Sequence, residues 1–219
     1  MSRWATFDCY GTLIDWNAGI RGVLEGLFGA ERGLELLARY HRLEPVVQAE
    51  AYRSYAEVLS LTLERLATEN DLTIPEGESG ALARSLPEWP AFREVPAALA
   101  ELRRRGWNLA ILSNSDRDLI AASQRQLGVP IDVAVVAEEI QSYKPAHAHW
   151  KRFFELTTAD RDRHVHVAAS LFHDIAPARE LELKVVWINR LGEAADTEPD
   201  RELPDLSGLP DALDELVPV

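Results

Sequence analysis

Asp8 closes a short apolar run, Trp4-Ala5-Thr6-Phe7, and a Gly-Thr turn follows at once. Such a run reads as a buried parallel strand, and parallel sheets present their working groups in the crevice at the strands' carboxyl ends. A carboxylate held there can serve as a covalent nucleophile; standing alone it could equally cap a turn. Three further segments place polar groups behind apolar runs. Ser113-Asn114-Ser115-Asp116 comes directly after residues 109–112. It offers side-chain donors and the first N–H groups of a following helix, or a plain N-cap. Lys144 stands before Pro145, where a lysine is commonly a solvated loop residue. Asp174 lies just past the apolar residues 165–169, where helix capping is an equal explanation. Each has a purely structural account, but the order Asp, Ser, Lys, Asp at successive strand ends is much rarer than any member.

The elements that would carry these residues follow from periodicity and breakers. Strands are expected over 5–9, 109–112, 133–136, 165–169 and 184–188. Helices are expected over 97–105, 117–127, 148–156 and 175–181, with Gly106 and Gly128 as C-caps. Alternating strands and helices imply an α/β, doubly wound parallel-sheet (Rossmann-like) core. Between the first strand and the rest, helical spacing dominates. Leu24, Leu27 and Phe28 share one face; Leu59, Leu63 and Leu66 share another, with Arg65 and Glu69 paired outside. Residues 75–80 read as a loop, and Pro87-Glu88-Trp89-Pro90 as a hinge. The expected organisation is a catalytic core of 1–14 and 93–219 with an all-helical cap of 15–92. Inserted after the Asp8 strand, the cap would sit over the crevice and exclude water. Residues 197–210 read as a surface loop.

Composition narrows the function. A hydrophobic content of 47% and a charged content of 27% suit a globular enzyme. The net charge of -13 disfavours nucleic acid and acidic membranes as partners, but not a small anionic substrate that feels local cations. Cys9 is the single cysteine, so no internal disulfide forms and a reducing compartment is expected. It reads as a small buried filler; a thiol nucleophile is the alternative. No apolar run approaches the roughly 20 residues of a membrane helix, and no leader opens the sequence, so a cytoplasmic location is expected.

The four segments resemble the motifs of the haloacid dehalogenase superfamily: FDCYGTL the first, ILSNS the second, Lys144-Pro145 the third, the Asp174 region the fourth. The resemblance implies that Asp8 is a covalent nucleophile, that the Ser113 hydroxyl holds the transferred or carboxylate group, and that Lys144 stabilises the nucleophile's charge. It also implies a helical cap domain. Phosphatases of this superfamily carry a second aspartate two residues after the nucleophile, to protonate the leaving alkoxide; here Tyr10 stands there. They also carry an acidic Mg²⁺ ligand where this chain has Ala169. A halide leaves without a proton, so both departures point toward carbon–halogen displacement.

The Asp8-Cys9-Tyr10-Gly11-Thr12 form is similar to the 2-haloacid dehalogenase branch. That likeness implies Arg39 as a cap arginine meeting substrate and halide, and Asn114 as an amide donor on the halide side. Tyr10, Trp16 and Tyr55 would wall the pocket, Thr12 would brace the loop, and Asp174 would orient or activate water. The expected catalytic set is Asp8, Thr12, Lys144 and Asp174; the substrate-binding set is Tyr10, Arg39, Ser113 and Asn114. No cofactor or metal is expected; Mg²⁺ enters only with the alternative of a phosphatase of the same superfamily. A catalytically silent binding protein is the other alternative. The chain departs from the branch at Ala169 and Leu171, where a serine and an asparagine are usual. Trp150 takes the place of a tyrosine, and His173 adds an ionisable group. The expected partner is a small anionic substrate, and the expected state is a monomer or homodimer.

Overall fold

A computed structural model describes residues 2–219. Six strands form one parallel sheet in the order β3-β2-β1-β4-β5-β6. They are β1 (Arg3–Phe7), β2 (Trp107–Ser113), β3 (Val133–Val136), β4 (His164–Ala168), β5 (Lys184–Ile188) and β6 (Arg201–Leu203). Sequence order reverses between β1 and β4, and a crevice opens outside the carboxyl ends of strands at such a switch point. Register levels those ends: Phe7 pairs with Ile111 on one side and with Val167 on the other. Residues that follow β1, β2 and β4 therefore emerge side by side.

Alternation sorts the strand residues between the two faces. Phe7, Leu109 and Ile111 join one apolar cluster that continues into Leu36, Leu59 and Leu63 of the insertion. Ala110, Leu112, Trp150, Phe153 and Trp187 form a second cluster on the opposite face. Helices α5 (Val95–Arg104), α6 (Arg117–Gln124), α7 (Ala137–Ile140), α8 (Ala148–Thr157), α9 (Ala176–Glu180) and α10 (Leu209–Leu216) complete the core. Helices α1 (Trp16–Phe28), α2 (Gly33–Glu50), α3 (Tyr55–Glu69) and α4 (Ala81–Ser85) form the insertion between β1 and β2. Gly19 of α1 abuts the Trp89 ring so closely that a Cβ would lie 2.3 Å from it. Helix α3 opens with a reciprocal capping box between Ser54 and Glu57.

Three expectations change. The first strand ends at Phe7, so Cys9 lies beyond it, buried in the turn. The 197–210 segment contains the edge strand β6, which proline and aspartate neighbours concealed. Arg65 pairs at 2.7 Å with Glu50 of α2 in place of Glu69, because the α2–α3 contact brings that carboxylate nearer.

Candidate active site

The turn after β1 sets the position of Asp8. Gly11 takes a φ of 89° there, a left-handed conformation that glycine adopts without strain. Thr12 then reaches back, donating to Asp8 Oδ2 at 2.8 Å and accepting from the Ala169 N–H at 2.9 Å. The ammonium of buried Lys144 donates to Asp8 Oδ1 at 2.9 Å, to Asp174 Oδ1 at 2.6 Å and to the Leu112 carbonyl at 2.9 Å. All three of its protons are thus used. Burial opposes the Lys144 charge, but Asp174 and Asp8 outweigh it and raise its pKa. Burial likewise opposes ionisation of Asp174, yet Lys144 and His166 hold its carboxyl well below the usual range.

A buried polar chain lies behind this cluster. His166 Nε2 is 3.1 Å from Asp174 Oδ1, His166 Nδ1 is 2.8 Å from Thr6 Oγ1, and His164 Nε2 is 2.8 Å from the same hydroxyl. The carboxylate only accepts, so His166 Nε2 donates to Asp174, and the Thr6 hydroxyl bridges the two imidazole rings behind it. These histidines were missed from sequence, although His-Val-His on a strand places both rings on one face.

The cluster forms the floor of a cavity of about 280 Å³. From the core, Tyr10, Ser113, Asn114, Ser170 and His173 join the lining; from the cap side come Trp16, His41, Glu44, Gln48 and Tyr55. Tyr10 and Tyr55 stack with centroids 5.7 Å apart, and Trp16 stacks on His41 at 4.9 Å. The Trp16 indole N–H donates to the Tyr55 hydroxyl at 3.0 Å. Burial lowers the pKa of both His41 and His173. Burial pushes Glu44 up to about 7, against a hydrogen bond from Tyr55.

Asp8, Thr12, Lys144, Asp174 and Ser113 converge as one cluster. Asn114 lines the cavity but its amide clamps the Lys144 backbone, donating to its carbonyl at 3.0 Å and accepting from its N–H at 2.6 Å. Tyr10 contributes its ring, while its hydroxyl turns away to Ser123 at 3.1 Å. Arg39 is not brought to the site. It lies on the outer face of α2, paired with Glu35 at 2.7 Å. At 3.6 residues per turn it stands roughly 160° around the helix from His41, which takes the cavity-facing place. Trp150 is also absent from the lining; it is fully buried against His166. Among the described residues no group of three or more His, Cys, Asp or Glu side chains is arranged to hold a metal ion. Among those residues, too, no helix is long and apolar enough to cross a membrane.

Known proteins resemble this chain in sequence and in fold. The chain is 29% identical over 212 residues to an (S)-2-haloacid dehalogenase of Pseudomonas sp. (strain YL), covering 91% of this chain and 89% of that one. It is 27% identical over 195 residues to haloacetate dehalogenase H-2 of Moraxella sp. (strain B), covering 87% of each. The fold superposes on the L-2-haloacid dehalogenase of Xanthobacter autotrophicus, solved with chloropropionic acid covalently bound. The TM-score is 0.85 at 20% identity, over 97% of this chain and 98% of that one. The family profile of haloacid dehalogenase-like hydrolases matches residues 3–181, a span that holds Asp8, Thr12, Ser113, Lys144 and Asp174. A match across most of the chain, on the residues the fold brings together, makes this protein a member of the haloacid dehalogenase-like hydrolase family.

Proposed function

We propose that the enzyme hydrolyses the carbon–halogen bond of short 2-haloacids through an ester on Asp8, without a metal. The observation that carries this reading is the setting of Asp8. One oxygen accepts from Thr12, the other meets Lys144, and the residue two positions on, Tyr10, has its hydroxyl engaged with Ser123. The nucleophile is aimed and charge-balanced, and no acid stands beside it. That arrangement fits a leaving group that needs no proton. The lysine fills the space between the two carboxylates, the charge-neutralising part that a cation plays elsewhere.

In the first step an Asp8 oxygen bonds to C2 as the carbon–halogen bond breaks, and halide departs with the bonding pair. Ser113 and adjacent backbone N–H groups hold the substrate carboxylate. The halide meets the aromatic wall and the second amide hydrogen of Asn114, which its clamp leaves free. Water then attacks the ester carbonyl, the bond from that carbon to the substrate's C2 oxygen breaks, and the departing oxygen takes up a proton. Asp174 orients the water, and the neutral His173 imidazole takes its proton. A 2-hydroxyacid and a proton leave, and Asp8 is regenerated. The substrate is a small anion, and no nucleic acid or membrane takes part.

The test measures halide from 2-chloro- and 2-bromo-acids in EDTA, beside phosphate from a generic monoester with Mg²⁺. Halide release in EDTA, with one heavy oxygen entering the Asp8 peptide during a single turnover in labelled water, is expected. Phosphate release without halide release would falsify the proposal.

A further inference from the structure

The cap half of the cavity offers an acceptor where the resemblance implies a cation. Arg39 points outward to Glu35, and among the lining residues Lys144 alone carries a permanent positive charge, fully engaged by its three acceptors. Facing it, Glu44 is only 8% exposed yet reaches the cavity wall. On one side its neighbour is the Tyr55 hydroxyl, which itself accepts from the Trp16 N–H. A carboxylate can accept about four hydrogen bonds, so one tyrosine leaves acceptor capacity unused. One turn away, His41 Nε2 is buried without a partner on the same wall. A buried polar atom of this kind is costly unless a partner meets it.

We infer that Glu44 is a specificity-determining residue, and that the preferred substrate is a short 2-haloacid that also bears an amino group, its ammonium docked on the Glu44 carboxylate. The inference rests on the reaction proposed above and names its substrate class. Charge supports it. The lining sets three carboxyl groups, Asp8, Glu44 and Asp174, against one lysine, an excess of acid that favours the cationic end of a zwitterion over a simple haloalkanoate. A bound ammonium would also draw Glu44 into its ionised form, since an adjacent positive charge favours the carboxylate. The substrate's own carboxylate stays at the Ser113 end, so the two charged ends are read by opposite walls. A hydroxyl could also donate to Glu44, but it would bring no charge to balance the excess.

The experiment compares 2-chloropropionate, 2-chloro-3-hydroxypropionate and 2-chloro-3-aminopropionate in wild type, Glu44→Gln and Glu44→Leu. The amino acid substrate is expected to lead the plain one by roughly 10- to 100-fold in kcat/KM, mostly through KM. That ratio should fall toward one in both variants. Equal use of all three by wild type, a lead by the hydroxyl compound, or an amino preference that survives Glu44→Leu would overturn the inference. Calorimetry on Asp8→Asn with the matching halogen-free acids, 3-amino-2-hydroxypropionate and lactate, reads the same preference without turnover. If no halide is released from any compound but the amino acid ligand binds more tightly and Glu44→Gln removes the difference, the proposed reaction fails and the docking role stands. If halide is released and neither assay shows the preference, the docking role fails alone.

Discussion

The Lys144 ammonium joins Asp8 to Asp174, lying 2.9 Å from one carboxylate and 2.6 Å from the other. One buried cation therefore serves both carboxylates, and the two acids cannot be understood separately. Lys144→Met leaves both carboxylates facing each other in a water-poor site. A loss of roughly 3–5 kcal/mol in urea unfolding is expected, the usual cost of stripping one partner from a buried ion pair. Halide release should fall by about 10²-fold or more. Lys144→Arg should not restore it, because a planar fork cannot reproduce three divergent contacts. Near-normal stability of Lys144→Met would contradict the packing described.

His166 supports Asp174 from behind, donating from Nε2 at 3.1 Å. His166→Leu removes a donor from a buried carboxylate, which should cost about 1–3 kcal/mol. The acid limb of the stability profile supplies a second readout. The folded-state pKa of Asp174 is depressed, so its contribution is present above the unfolded carboxylate value and is lost as pH falls through the folded one. Wild type should weaken steeply below about pH 4. In His166→Leu that slope should be shallower, as seen by fluorescence-monitored unfolding across acid buffers.

Glu44 behaves in the opposite sense. Burial pushes its folded pKa up to about 7 from an ordinary value of 4.5, so the folded state holds its proton to higher pH than the unfolded chain does. Without ligand, stability is greatest below the lower value and declines as pH rises through the higher, by about 3 kcal/mol in all. Glu44→Gln should flatten the profile between those limits. An unchanged profile would show that the carboxyl is hydrated in solution.

Arg39 gives a negative control. Its pair with Glu35 is exposed, and such pairs contribute about 0–1 kcal/mol. Arg39→Ala should leave thermal unfolding and KM for haloacids near wild type. A tenfold or larger rise in KM, about 1.4 kcal/mol of binding, would place the guanidinium at the substrate after all.

The strand ends were legible because their chemistry is local. An apolar run followed by Asp8, by Ser113 or, after a short interval, by Asp174 announces both the strand and the group it delivers. Lys144 could be found only by its place in that order, since nothing near Pro145 marks it as buried. The cap was harder. Arg39 and His41 differ by two positions on one helix, and context alone suggested the first. The rotation per residue puts them on opposite faces, and only the packing of Tyr40 and Val47 into the core decides which face looks inward. Glu44 carried no signal, because a glutamate on an amphipathic helix is ordinarily solvated. Nor did β6, an edge strand of three residues among prolines and aspartates.

Asp116, at the end of the β2 loop, accepts the Tyr55 N–H at 2.7 Å and the Ala56 N–H at 2.9 Å. The first amides of α3 are thus held by a side chain from the other half of the molecule. Any outward swing of that helix strips both amides of their acceptor in one event. The placement of Tyr55 on the cavity wall therefore depends on an aspartate that does not itself line the cavity.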